Sequence, residues 1–159
     1  MGYNFRDWND LSEKDKGFFI GDDYLPLSDD VAERISIIKH QEARDFKKEA
    51  LLNVPGFSSS TVLSYKSEEW VSLENAWGNK DETQKIREWL HNRGIPYRTT
   101  VYLLYDNSVV VKTDWKTLVK FWDAFSWSVG MAMLVVDLSK RWLCEFHHEN
   151  VLTFYGHEK

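Results

Sequence analysis

The chain has 159 residues and a mass of 18.8 kDa, with 43% hydrophobic and 28% charged residues, a formal net charge of −5 and one cysteine, Cys144. That length is the size of one domain, and size scaling buries about 70% of the unfolded surface, enough for a core without disulfides or a structural metal. The composition excludes a disordered chain, the lone Cys144 excludes a disulfide framework or a cysteine-based zinc site, and no apolar run approaches the ~20 residues of a transmembrane helix.

In chain order, residues 17–21 (GFFIG) read as a short strand between breakers, and residues 22–27 as the loop after it. Ser28 is a good N-cap, and Asp29 and Asp30 fall in the first turn, where the helix dipole favours anions. Val31, Ile35, Ile38 and Phe46, with Ala43 and Ala50 beside them, recur near helical spacing and predict one long helix, stopped by Pro55-Gly56. Residues 57–61 read as a loop. A short helix is expected over residues 67–76, presenting Trp70, Leu73 and Trp77. The next helix takes Asp81 as its cap, with Gln84 three residues on as in a capping box. It carries Ile86, Trp89 and Leu90 and ends at Gly94 and Pro96.

The second half changes period. Residues 99–105 are β-branched and aromatic, and Asp106-Asn107-Ser108 turns them into a second strand at residues 109–112. Asp114 caps a helix bearing Trp115, Leu118, Val119, Trp122 and Phe125. Strands at residues 131–137, 142–148 and 151–155 have hairpin-short links and form an antiparallel meander. The expected architecture is a single α+β domain: β-hairpin, helix and three-strand meander, with the N-terminal helices packed on one face.

The charge is uneven. Residues 1–30 hold eight acids against Arg6, Lys14 and Lys16, a balance of −5 that equals the net charge of the whole chain. Nucleic-acid binding is disfavoured, because neutralising phosphates needs clustered Lys and Arg. A basic protein partner fits better, since an acidic patch steers a positive surface into encounter. The plainer alternative is a solvated N-terminus with ordinary helix-start acids. Eight Trp are equally unusual, and they serve either to fill a small core or to form an aromatic binding surface. Trp8 and Trp127 fall outside any apolar pattern and are the exposed-aromatic candidates. The candidate partner-binding set is therefore Trp8, Asp22, Asp23, Tyr24, Asp29, Asp30 and Trp127.

Catalytic motifs are absent from the sequence: no G-x-G-x-x-G, P-loop, G-x-S-x-G or H-E-x-x-H occurs. Cys144 lies mid-strand and reads as a buried, inert thiol. Glu145, His147 and Glu149 share one face of their strand, with Asp137 on the neighbouring strand, and could hold a divalent ion with one further ligand. The same residues are also what an exposed hairpin ordinarily carries, while Trp142, Cys144, Phe146 and His148 form the apolar face. The aspartate pairs Asp22-Asp23 and Asp29-Asp30 lack the spacing of a calcium loop.

The second half, with its T-T-V-Y strand, its capped helix of W-x-x-L/F steps and the meander LVVDLSKRWLCEFHHENVLTF, resembles a set of small cytoplasmic gamma-proteobacterial proteins. Those proteins also open with a segment like Phe18 to Pro26. More loosely, the chain resembles immunity proteins that neutralise secreted bacterial toxins, which are small, acidic, Trp-rich α+β domains without a catalytic motif. The first resemblance implies no activity, and the second implies protein binding. The leading expectation is thus a non-enzymatic protein-binding module that neutralises a basic toxin, with no cofactor, nucleic acid or membrane involved. Its association rate should depend on salt, and charge reversal at two of the acids should weaken binding more than tenfold. The alternative is a small metal-dependent hydrolase built on Glu145, His147 and Glu149. A third reading is ligand stacking on an exposed Trp. The N-terminus MGYNFRDWND lacks a basic start and apolar centre, so the cytoplasm is the expected compartment.

Overall fold

The computed structural model describes residues 3–16, 32–51, 67–76, 78–105, 109–127, 133–139, 141–147 and 149–156. Its strands are β1 (Arg6–Asp7), β2 (Ser36–Lys39), β3 (Ser67–Ser72), β4 (Thr100–Tyr105), β5 (Val109–Asp114), β6 (Met133–Val136), β7 (Trp142–His147) and β8 (Val151–Gly156). They form one eight-stranded sheet in the order β1-β2-β5-β4-β6-β7-β8-β3, every neighbouring pair antiparallel. The described helices are α1 (Glu13–Lys16), α2 (His40–Leu51), α3 (Lys80–His91), α4 (Trp115–Lys120) and α5 (Trp122–Trp127), with a 3-10 turn at Trp8–Asp10. Helices together with a wholly antiparallel sheet make this an α+β chain.

The β4–β5 hairpin and the β6–β7–β8 meander form where β-branched and aromatic residues alternate with a period of two. Alternation sorts the side chains onto two faces. On one, Leu103, Val111, Val135, Cys144 and Phe146 pack beneath Ile86 and Leu90 of α3 and Trp115, Leu118, Trp122 and Phe125 of α4 and α5. On the other, Ile38, Leu104, Val110, Val136 and Leu143 pack with Ala43, Phe46 and Ala50 of α2. The expected common face for the N-terminal helices is therefore not found: α2 and α3 contribute to opposite clusters.

Four local expectations change. The predicted long helix begins only at His40, because Ser36–Lys39 is a strand paired to β5, Ile37 opposite Val111 and Ile38 opposite Val110. His40, at φ 56°, turns the chain from β2 into α2. Residues 67–76 open with β3 instead of a helix: Val71 packs against the larger core and Leu73 is fully buried, which is strand alternation. α3 is capped by Asn79, whose side chain accepts from the N–H groups of Asp81 and Glu82, so Asp81 is the second residue of the helix. The helix after Asp114 divides at Phe121 (φ −120°, ψ 27°), yet Trp115, Leu118, Trp122 and Phe125 are buried as expected. The Asp114 cap is present, with its carboxylate accepting from Thr117 N–H at 2.7 Å. The expected elements at residues 17–31, the Pro55-Gly56 stop, the loop at 57–61, Trp77, the 106–108 turn and His148 lie outside the described residues.

Candidate functional site

β3 is the last of the described strands in the sheet order, and its backbone geometry follows from its register. Beyond its end, Leu73 N–H donates to Asn150 carbonyl oxygen at 2.7 Å, a directly opposed hydrogen-bonded pair. Antiparallel pairs alternate, so Val71 opposite Leu152 and Glu69 opposite Phe154 are also of the bonded kind. Trp70, opposite Thr153, and Ser72, opposite Val151, belong to the non-bonded kind, and their N–H and C=O groups point away from β8 toward the sheet edge.

The side chain of Trp70 is 64% exposed. It ends a cross-strand row running through Ile38, Val110, Leu104, Leu134, Glu145 and Thr153. That row is sealed at the α2 end, where Ile38, Val110 and Leu104 are buried, and opens at Trp70. The strand is held from its other face. Arg93 Nη1 meets Glu69 Oε2 at 2.6 Å, while the guanidinium lies over the Trp89 ring, 4.1 Å from its centroid, and Arg93 Nε donates to Trp89 carbonyl oxygen. These contacts tie β3 to the C-terminal end of α3, so Trp70 projects from a braced strand. Among the described residues, Trp70 and Tyr97 are the large hydrophobic side chains that stay exposed.

The residues singled out from sequence are dispersed. Asp22, Asp23, Tyr24, Asp29 and Asp30 lie outside the described residues, and so does the side chain of Trp127, whose backbone closes α5. Trp8 is half-buried, packed against the larger core. The arm before it is clamped on α2. Tyr3 and Phe5 meet the Phe46 ring edge-on at 5.2 and 5.5 Å, Asn4 N–H donates to Glu42, and the Tyr3 hydroxyl donates to Glu49 Oε2 at 2.5 Å. That bond to a carboxylate holds the Tyr3 phenol up at about 12.

The proposed metal constellation does not assemble. Glu145 and His147 are half-buried, opposite Thr153 and Val151, on the sheet face that α2 covers further along. Glu149 lies past the strand end, in the β7–β8 turn, with its N–H 3.4 Å from His147 Nδ1. The Asp137 carboxylate instead closes its own turn, accepting from Ser139 N–H, from Ser139 Oγ at 2.6 Å and from Trp142 Nε1 at 2.9 Å. Among the described residues, no group of three or more His, Cys, Asp or Glu is placed to hold a metal ion. Cys144 is fully buried, and burial pushes its thiol far above the usual range, so it is the inert residue expected.

Trp70 was hidden by helical spacing, which grouped it with Leu73 and Trp77. The signal that finds it is period two: Val71, partly buried against the core, and Leu73, fully buried, share one face, leaving Trp70 on the other between Glu68 and Ser72. No helix among the described residues is long and apolar enough to cross a membrane. Compared with known proteins, the chain matches no family model, no curated protein and no solved structure.

Proposed function

We propose that the chain is a non-enzymatic protein-binding module of the toxin-immunity kind, and that its partner is a basic protein engaged along the β3 edge. The observation that carries this reading is Trp70, 64% exposed on the terminal strand of the sheet beside outward-facing main-chain groups. Among the described residues no strand pairs with the outer side of β3; such an edge can accept an added strand, and an exposed aromatic beside it supplies the anchor on which interfaces concentrate their energy. Charge supports the choice of partner: the chain carries −5 overall, and Glu74 lies exposed just beyond this edge. The acidic segment containing Asp22, Asp23, Asp29 and Asp30 would steer a basic partner into encounter, a contribution that salt screens.

The test is affinity capture at low salt with wild type, Trp70→Ala and the charge reversal Asp22→Lys/Asp23→Lys as parallel baits. The reading predicts one stoichiometric basic partner on wild type, released by salt, bound more than tenfold more weakly by Trp70→Ala. It also predicts a slower association rate for the charge reversal. A partner held equally by Trp70→Ala contradicts the assignment of the edge, and the absence of any stoichiometric basic partner contradicts the function.

A further inference from the structure

On the opposite side of the sheet from α2, an open hollow of about 350 Å³ lies between α3 and α4, bordered by Arg87, His91, Tyr97, Lys116, Val119 and Lys120. Its volume falls in the range of small-molecule sites, roughly 300–1,000 Å³. Two properties give it a chemical preference. Its surface has a flat apolar element: Val119 is buried, and the 44%-exposed Tyr97 ring lies against the His91 ring, centroids 5.3 Å apart at 33°. Its rim is cationic, with Arg87, Lys116 and Lys120 against one lining carboxylate, Glu88. In a chain of net charge −5, this is a local reversal of sign.

The walls are fixed. Arg87 Nε donates to Lys120 carbonyl oxygen at 2.9 Å and its Nη1 to Gln84 Oε1 at 3.2 Å, with Asp123 offsetting part of its charge from 3.9 Å. Lys116 N–H donates to Tyr97 carbonyl oxygen at 3.1 Å, and the Tyr97 hydroxyl and His91 Nδ1 are 2.7 Å apart. Arg87 therefore braces the two helices. Lys116 and Lys120, four residues apart on α4 and both exposed, are the cations placed to meet a ligand.

We propose that this hollow binds a small organic anion with a flat ring, its charged group between Lys116 and Lys120 and its ring against Tyr97 and His91. The site is separate from the β3 edge and does not depend on the protein-binding reading.

Three probes separate the contributions: 8-anilinonaphthalene-1-sulfonate, which carries ring and charge; N-phenyl-1-naphthylamine, which carries the ring alone; and inorganic sulfate, which carries the charge alone. Fluorescence titration is combined with amide chemical-shift mapping. The sulfonate is expected to bind one-to-one, with shifts centred on His91, Tyr97, Lys116 and Lys120. The neutral probe should bind at least fivefold more weakly, and sulfate at the same concentration should not saturate the site. Lys116→Gln/Lys120→Gln, with both side chains exposed and the melting temperature as a check on folding, should lower sulfonate affinity more than tenfold. Tyr97→Phe keeps the ring and should bind within twofold of wild type, whereas Tyr97→Ala should not. Equal binding of the sulfonate by the double variant, equal affinity for the neutral probe, or shifts centred elsewhere would each overturn the proposal.

Discussion

At the scale of single residues, Tyr3 shows how one hydrogen bond becomes a pH response. Its phenol donates to Glu49 Oε2, and the folded state holds it protonated up to about 12, above the ordinary value of 10.0. A group whose folded pKa is raised contributes stability that is complete below its unfolded pKa. That contribution is lost as pH climbs through the folded value. The clamp between the N-terminal arm and α2 is therefore expected to hold through pH 10 and to release toward pH 12. Ultraviolet phenolate titration of wild type minus Tyr3→Phe isolates this tyrosine, and Glu49→Gln should bring its transition back toward 10. Two tryptophans offer a second comparison. Trp142 Nε1 donates to Asp137, whereas Trp115 Nε1, fully buried, has no hydrogen-bond partner among the described residues. Truncating either indole to Phe removes similar volume, so Trp142→Phe should cost about 1 kcal/mol more than Trp115→Phe in urea unfolding.

At the scale of elements, the strands of the second half were legible and the three described strands of the first half were not, for β2 for a reason visible in Ile35 and Ile38. Residues three apart share one side of a helix but lie on opposite sides of a strand. Ile35 joins the larger cluster and Ile38 the second, so the spacing that suggested a helix belongs to a strand buried on both faces. Such a strand carries no polar alternation to betray it. Trp70 was lost in the same way. Its exposure depends on the pairing of β3 with β8, some eighty residues away in sequence, which no local pattern encodes. Cap chemistry was closer: Asp114 was legible, and the α3 cap was misplaced by two residues because the following acids mimic one. Asn79→Ala should cost about 1 kcal/mol and Asp81→Ala less than half of that, measured by thermal unfolding. His40 joins β2 to α2 at φ 56°. His40→Val is expected to cost about 1–2 kcal/mol because a branched side chain resists the left-handed region, and His40→Gly to cost nothing.

At the scale of the whole molecule, the two ends of the sheet are treated differently. The β1 end is a strand of two residues, Arg6 and Asp7, directly preceded by the clamped N-terminal arm, a short edge of the kind that resists pairing. The β3 end is six residues long, braced by Glu69 and Arg93, and carries an exposed Trp at its centre. Trp70 is 64% exposed and belongs to neither core cluster of the described residues, so Trp70→Ala should shift stability by less than about 0.5 kcal/mol. A large loss of partner capture in that variant is therefore a binding effect and not unfolding.

Among the described residues nothing pairs with the outer side of β3, and amide hydrogen exchange resolved by NMR reads that edge residue by residue. In the free protein, Glu69 and Val71 N–H groups, bonded to β8, should exchange at least tenfold more slowly than those of Trp70 and Ser72. Once the captured partner is bound, Trp70 and Ser72 should become protected as well. Equal protection of Trp70 and Val71 in the free chain, or no change at Trp70 and Ser72 in the complex, would contradict the account.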